Sequence, residues 1–130
     1  MKKKIFLIIL FISFISILGA DTPERLDWYT NIGSFQVFTS DETPAVLRVE
    51  IYLGYKKGDK ECLTEITNRQ VEIKQFIRMY FRKKTAAELK NPANHGLFIV
   101  EIKESINQNI LTDSWIRDIK FNQFEIVEQK

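Results

Sequence analysis

Hydrophobic side chains recur at helical intervals over residues 66–89 of this chain. At about 100° per residue they fall within one arc roughly 140° wide. The arc contains Ile66, Ile73, Phe76, Ile77, Tyr80 and Phe81. Lys74, Arg78 and Arg82 follow one another at four-residue spacing on a different face. This pattern predicts a long amphipathic helix whose apolar stripe packs against another layer.

Two capping signals divide the helical part of the chain. Thr85 and Glu88 have the spacing of a capping box, which predicts that one helix ends there and another begins. Asn91 followed by Pro92 predicts an N-cap with proline at the first helical position. The helix that starts there carries a second apolar stripe, formed by Phe98, Ile99, Ile102, Ile106 and Ile110.

Alternating patterns on either side of the helices predict strands. Residues 45–55 place Leu47, Val49, Ile51, Leu53 and Tyr55 on one face. Residues 32–39 form a second candidate strand, joined to the first by a turn that contains Pro44. Residues 115–127 form a third, in which the apolar phase changes between Phe121 and Phe124. That change indicates either a bulge near Asn122 and Gln123 or a central strand covered on both faces.

The predicted order β-β-α-α-β indicates an α+β domain over residues 32–130, with two helices packed on one face of a three-stranded sheet. Residues 21–31 read as a short connector that contains Pro23, Trp28 and Tyr29. The two aromatic residues suit a membrane interface and the first contacts of a core equally well. Both interpretations remain open at this point.

The N-terminus combines Lys2, Lys3 and Lys4 with an uncharged apolar run of 16 residues, 5–20. A cleaved signal peptide has this order of charges and apolar residues. A membrane anchor is the alternative, although 16 helical residues span only about 24 Å of a hydrocarbon core of about 30 Å. In both cases the lysines stay on the cytoplasmic side and the rest of the chain is exported.

The charge balance argues against nucleic acid as a partner. The formal net charge is +2, but without the three N-terminal lysines 16 basic residues face 17 acidic ones, a net charge of −1. A nucleic-acid-binding domain would be strongly basic.

The residues that carry chemistry are sparse. Cys62 is the only cysteine and His95 the only histidine, so we expect no disulfide within the chain, no metal site and no cofactor. We place Cys62 in a loop or at the edge of an element. Glu61, Glu65 and Glu72 are scattered over loop and helix faces, and nothing marks a pair for acid–base catalysis. The sequence therefore predicts no catalytic residues.

The cations of the long helix are the candidate site. Lys74, Arg78 and Arg82 are like charges at four-residue spacing, an arrangement that costs a helix a few tenths of a kcal/mol per pair. They form either a solvated face or a contact surface for a protein partner or lipid headgroups. Arg69 falls inside the apolar arc, so we expect its stem to pack while its guanidinium reaches solvent, with Glu50 as the alternative, buried partner.

Several short segments, in order, resemble the FliL family of flagellar basal body-associated proteins. The similarity runs from LRVEIYLGY, at residues 47–55, to the end of the chain. It includes VEIKQFIRMYF after Arg69 and KTAAEL, at residues 84–89, which matches the family's KT-x-x-E-L break between two helices. It continues through EI and IN in the second helix to the closing WIRDIKFNQF, at residues 115–124.

The resemblance implies a non-enzymatic accessory of the flagellar motor. Its partners would be MotA/MotB stators and further copies of itself, assembled into rings through a domain similar to stomatin-type SPFH domains. It also implies a single-pass inner-membrane protein with its N-terminus in the cytoplasm and its domain in the periplasm, and so favours the anchor. The anchor would include Lys2, Lys3, Lys4, Ile5, Leu10, Phe14 and Leu18. The alternative is a cleaved, soluble periplasmic binding domain unconnected with the motor.

Overall fold

The computed structural model describes residues 24–128, which form one α+β domain. The strands are β1 (Leu26–Tyr29), β2 (Ser34–Phe38), β3 (Val46–Lys56) and β4 (Asp118–Val127). The helices are α1 (Lys60–Asn68), α2 (Gln70–Arg82), α3 (Ala86–Lys90) and α4 (His95–Asn109), with a short 3-10 helix (Pro92–Asn94) before α4.

β3 is the central strand of an antiparallel sheet. β4 pairs with residues 46–54 of β3 along one edge. β1 pairs with residues 53–56 and β2 with residues 46–50, so both share the opposite edge. The sheet is therefore three strands wide, as predicted, but it contains a fourth strand. β1 lies within the stretch 21–31 that the sequence suggested as a connector.

The alternation along β3 separates the two faces of the sheet. Leu47, Val49, Ile51 and Leu53 are fully buried, whereas Arg48 and Tyr52 lie on the other face. The buried face joins the apolar stripes of the helices in one core cluster, which includes Ile66, Ile73, Ile77, Phe81, Phe98, Ile102 and Ile106. The prediction of helices packed on one face is confirmed.

The change of phase in β4 is a bulge. Gln123 pairs with Glu50 and Phe121 with Ile51, so Asn122 has no partner of its own in β3. The extra residue shifts the alternation, and Phe121 and Phe124 both pack against the core. β4 has β3 as its neighbour among the described strands, so the alternative of a covered central strand is wrong.

The long helix predicted to run from residue 66 to the break at Thr85 is instead divided between α1 and α2, while the predicted helix after Thr85 is α3. α1 begins at Lys60, where the Asp59 side chain accepts a hydrogen bond from the Cys62 N–H, and it ends at Asn68, with Arg69 as its C-cap. Cys62 is fully buried in the first turn of α1, so it lies at the edge of an element, and its alternative placement in a loop was wrong. Lys56, Lys57 and Gly58 precede α1 and are typical of a turn, so the sequence pattern did not indicate where this helix begins.

Arg69 occupies the break between α1 and α2, not the middle of an apolar stripe. Its φ of −103° and ψ of 11° lie outside the helical region, and its guanidinium pairs with Glu72 at 2.8 Å in a solvent-exposed position. Glu50 instead contacts Tyr52 and Asn122, so the suggested partnership with Arg69 was wrong.

The capping signals are confirmed. The Thr85 hydroxyl accepts from the Glu88 N–H at 3.1 Å, and the Glu88 carboxylate accepts from the Thr85 N–H at 3.2 Å. The Asn91 side chain accepts from the Ala93 N–H, and Pro92 starts the 3-10 helix that leads into α4.

The apolar run and the anchor residues predicted within 2–18 lie outside the described residues. Over residues 24–128, every helix is too short or too polar to cross a bilayer.

Candidate functional site

The cations predicted as a contact surface lie together on the outward side of α2. At about 100° per residue, Arg78 and Arg82 project within a narrow arc, with Lys74 at one side. Val71 and Met79 share this side and are 69% and 58% exposed. We call this surface the α2 face, defined by Val71, Lys74, Arg78, Met79 and Arg82.

Two of these cations are positioned by the sheet. The Lys74 ammonium lies 5.6 Å and the Arg78 guanidinium 5.3 Å from the ring centroid of Phe35 in β2. Both side chains are half-buried, so their stems cover Phe35 while their charged ends stay near the surface. Arg82 is exposed at the last turn of α2, where a cation also interacts favourably with the helix dipole.

The positive charge of the α2 face is not neutralised within the described part of the chain. Three other cations have carboxylate partners: Arg69 with Glu72, Lys90 with Glu128, and Arg117 with Glu24. Over residues 24–128, Lys74, Arg78 and Arg82 form no such pair. Exposed apolar groups among unpaired cations can bind a protein surface that presents carboxylates around a hydrophobic contact.

The turn between β2 and β3 fixes the end of α2 relative to the sheet. The Asp41 carboxylate accepts from the Ala86 N–H at 2.8 Å and from the Thr39 hydroxyl at 2.5 Å. The Ser40 N–H donates to the Lys84 carbonyl. The Thr39 hydroxyl, followed by the Ala86 N–H, holds the pKa of Asp41 below its usual value. The β2–β3 turn therefore positions the α2–α3 corner, next to Arg82.

Glu65 organises the opposite end of the domain, a role that the sequence did not suggest. Its carboxylate accepts hydrogen bonds from the backbone N–H groups of Thr112, Asp113 and Ser114 and from the hydroxyls of Thr112 and Ser114, at 2.6–3.3 Å. We call this arrangement the Glu65 clasp. It joins α1 to the loop between α4 and β4, and it borders an open groove of about 760 Å³.

The pKa of Glu65 reflects the clasp. Partial burial would raise the pKa, but the hydrogen bonds from Ser114, Thr112 and Asp113 outweigh burial and lower it to about 2. Thr112, Asp113 and Ser114 donate to a carboxylate that lies 47 to 49 residues away along the chain, so their role depends on the fold.

His95 and Cys62 are used in packing. A ring nitrogen of His95 hydrogen-bonds the Leu89 carbonyl at 2.9 Å, and the ring lies 4.5 Å from that of Phe124. Cys62 is fully buried, and burial raises the pKa of its thiol. Within residues 24–128, no three His, Cys, Asp or Glu side chains are grouped closely enough to hold a metal ion.

Comparisons with known proteins agree on one family. The family described as "Flagellar basal body-associated protein FliL" matches residues 29–126. The chain is 36% identical over 108 residues to the flagellar protein FliL of Treponema pallidum, an alignment that covers 83% of this chain. It is 33% identical over 106 residues, or 82% of the chain, to the flagellar protein FliL of Borreliella burgdorferi.

These alignments cover 59% and 57% of the two relatives, so the chain spans a little over half the length of the curated relatives it matches. The family match begins within β1 and ends one residue before the end of β4, and so includes the complete helical layer. The chain belongs to the FliL family of flagellar basal body-associated proteins.

Proposed function

We propose that this protein is a non-enzymatic accessory of the flagellar motor that associates with MotA/MotB-type stators and supports torque, motility and chemotactic swimming. The observation that carries the proposal is the family match over residues 29–126. Residues 2–20 anchor the protein in the inner membrane in a single pass, with the N-terminus in the cytoplasm and the domain in the periplasm. The order of lysines and apolar residues supports this orientation.

The α2 face is the proposed stator contact. Its cations have no carboxylate partner over residues 24–128, and Val71 and Met79 expose apolar surface beside them. Carboxylates of an acidic partner would pair with these cations. Its surface would also cover the apolar side chains of Val71 and Met79.

Self-association is proposed to use the free edge of β4. This strand of ten residues bonds to β3 along one side, and its other side has no strand among the described residues. Unpaired N–H and C=O groups on such an edge can pair with another chain. Rings of this protein would then surround a stator, and cross-linking of the full chain in membranes should yield a ladder of oligomers.

Deletion of the gene tests the proposal at the level of the cell. We expect slower swimming in a viscous medium and fewer labelled stators retained at motors under load. Normal speed together with normal stator retention would reject the motor role. Mass spectrometry of the mature protein tests the anchor independently, because a chain that begins at Asp21 would be the secreted domain.

Charge reversal on the α2 face is the corresponding residue-level prediction. In the double variant Arg78→Glu/Arg82→Glu, like charges replace attractive ones, and we expect stator binding to weaken roughly 100-fold, about 2.7 kcal/mol. Complemented cells should swim slowly under load. The purified protein should keep a melting temperature within about 8 °C of the parent, because Arg82 is exposed and the Arg78 contact with Phe35 contributes only about 1 kcal/mol.

The matched control is Arg48→Glu/Lys103→Glu. It changes the formal charge by the same amount, at one exposed and one half-buried cation that lie outside both the α2 face and β4, Arg48 on the sheet face opposite the helices and Lys103 on α4. We expect this variant to swim as the parent does. Equal impairment by both double variants would show that net charge matters and that the α2 face does not.

A further inference from the structure

Two tryptophans and a half-buried cation lie at the end of the sheet where the described chain begins. The Trp28 ring packs against Gly54, so closely that a Cβ added to the glycine would lie 3.0 Å from ring atom Cζ3. The backbone N–H of Arg117 donates a hydrogen bond to the Gly54 carbonyl at 2.7 Å. The Arg117 guanidinium covers the Trp115 ring at 3.1 Å from its centroid, and its Nε lies 3.5 Å from the Glu24 carboxylate.

The backbone beside Trp115 is held firmly, although its side chain is not part of the core. The Asn107 side chain accepts from the Ile116 N–H at 2.7 Å and donates to the Ile116 carbonyl at 3.0 Å. Ile116 is fully buried, whereas Trp115 remains 55% exposed and Trp28 37% exposed. The domain therefore presents a large aromatic side chain outward in a fixed position.

This end of the domain is also closest along the chain to the apolar run. Residue 20, the last of the run, precedes Glu24 by four residues, which reach at most about 14 Å when fully extended. If residues 5–20 stay in the bilayer, Glu24 lies within about 14 Å of the end of the apolar run, and the Arg117–Trp115 pair beside it is within reach of the lipid headgroups.

Charge does not explain a contact at this surface. Residues 24–27, 56–61 and 113–118 carry five basic and six acidic side chains, so the charges nearly balance. Two of the acids are occupied within the domain: Asp27 accepts from the Gly58 N–H and Asp59 from the Cys62 N–H, both at 3.1 Å. A contact at this end must therefore depend mainly on the aromatic rings. Tryptophan is enriched at membrane interfaces because its ring is apolar and its N–H is polar.

We propose that Trp28 and Trp115 form a membrane-contacting surface, with Trp115 inserted among the headgroups at the periplasmic side of the inner membrane. This proposal rests on the proposed function, since it requires that residues 2–20 remain as an anchor. The contact orients the domain on the bilayer and so determines the direction in which the α2 face points.

Tryptophan fluorescence of the full chain in phosphatidylcholine vesicles tests the proposal. Trp28→Phe leaves Trp115 as the only tryptophan, because the chain has two. We expect lipids brominated on the upper acyl chain to reduce its emission about twofold, and aqueous iodide to quench it weakly. Trp115→Phe is the matched variant, in which Trp28, packed on Gly54, should respond less to both quenchers. Addition of phosphatidylglycerol should change neither result, since the surface is balanced in charge.

Three outcomes would overturn the proposal, and they separate it from the proposed function. Protein that floats with the vesicles but exposes Trp115 to iodide rejects the membrane contact and leaves the anchor intact. Trp115 protected from both iodide and brominated lipid would indicate a contact between copies of the chain instead. Protein that does not float with the vesicles removes the anchor, and with it both the membrane contact and the proposed location.

Discussion

Phe81→Ala is expected to destabilise the domain by about 3–5 kcal/mol, a large fraction of the roughly 5–15 kcal/mol by which folded domains are stable. Phe81 is fully buried on α2. Its ring makes edge-on contacts with those of Phe98 and Phe124, at centroid distances of 6.0 and 5.8 Å, and lies 6.1 Å from that of Phe121. Truncation would leave a cavity between α2, α4 and β4, because the surrounding rings are held by separate elements and cannot all move inward.

Thermal or urea unfolding of the purified protein measures this effect. Met79→Ala is the matched control on the same helix, since Met79 is 58% exposed and its loss should change the free energy of unfolding by no more than about 0.5 kcal/mol. If Phe81→Ala and Met79→Ala lower the free energy of unfolding by similar amounts, Phe81 is not the centre of the aromatic core.

Glu65→Ala is the second variant with a large expected effect, about 2–4 kcal/mol. The substitution leaves the N–H groups of Thr112, Asp113 and Ser114 without their acceptor, and each hydrogen bond to a charged group contributes about 1.5–3 kcal/mol before water replaces it. Glu61→Ala, on the same helix, is the control, because Glu61 is exposed and makes no hydrogen bond among the described residues. Hydrogen exchange should show faster opening of residues 112–117 in Glu65→Ala alone.

The Glu65 clasp also predicts a dependence of stability on pH. The pKa of Glu65 is lowered to about 2 in the folded domain, below its ordinary value near 4.5. The stabilisation is therefore fully present above about pH 4.5 and is lost as the pH falls toward 2. The parent should lose about 2 kcal/mol more than Glu65→Gln over this interval, in urea titrations at each pH. If the free energy of unfolding depends on pH in the same way for the parent and Glu65→Gln, the Glu65 clasp is contradicted.

The elements of this fold follow largely from local patterns. The alternation along β3 and the caps at Thr85 and Asn91 each depend on residues a few positions apart, and each is present in the structure. The bulge at Asn122 was one of two interpretations of the sequence, because one extra residue reverses the apolar phase of a strand, and the pairing of β4 with β3 decided between them. The start of α1 was missed, since its first turn is polar and follows lysines and a glycine typical of a turn.

The sequence by itself determined the α+β class, the family and the existence of a basic stripe on α2, because periodicity and motif order are properties of neighbouring residues. Only the tertiary structure decided which cations remain unpaired, what Glu65 binds and where Trp115 lies. Those properties depend on side chains brought together from distant positions, such as Glu65 with Ser114 or Glu24 with Arg117. No local pattern encodes such contacts, because they form only when the helices pack on the sheet.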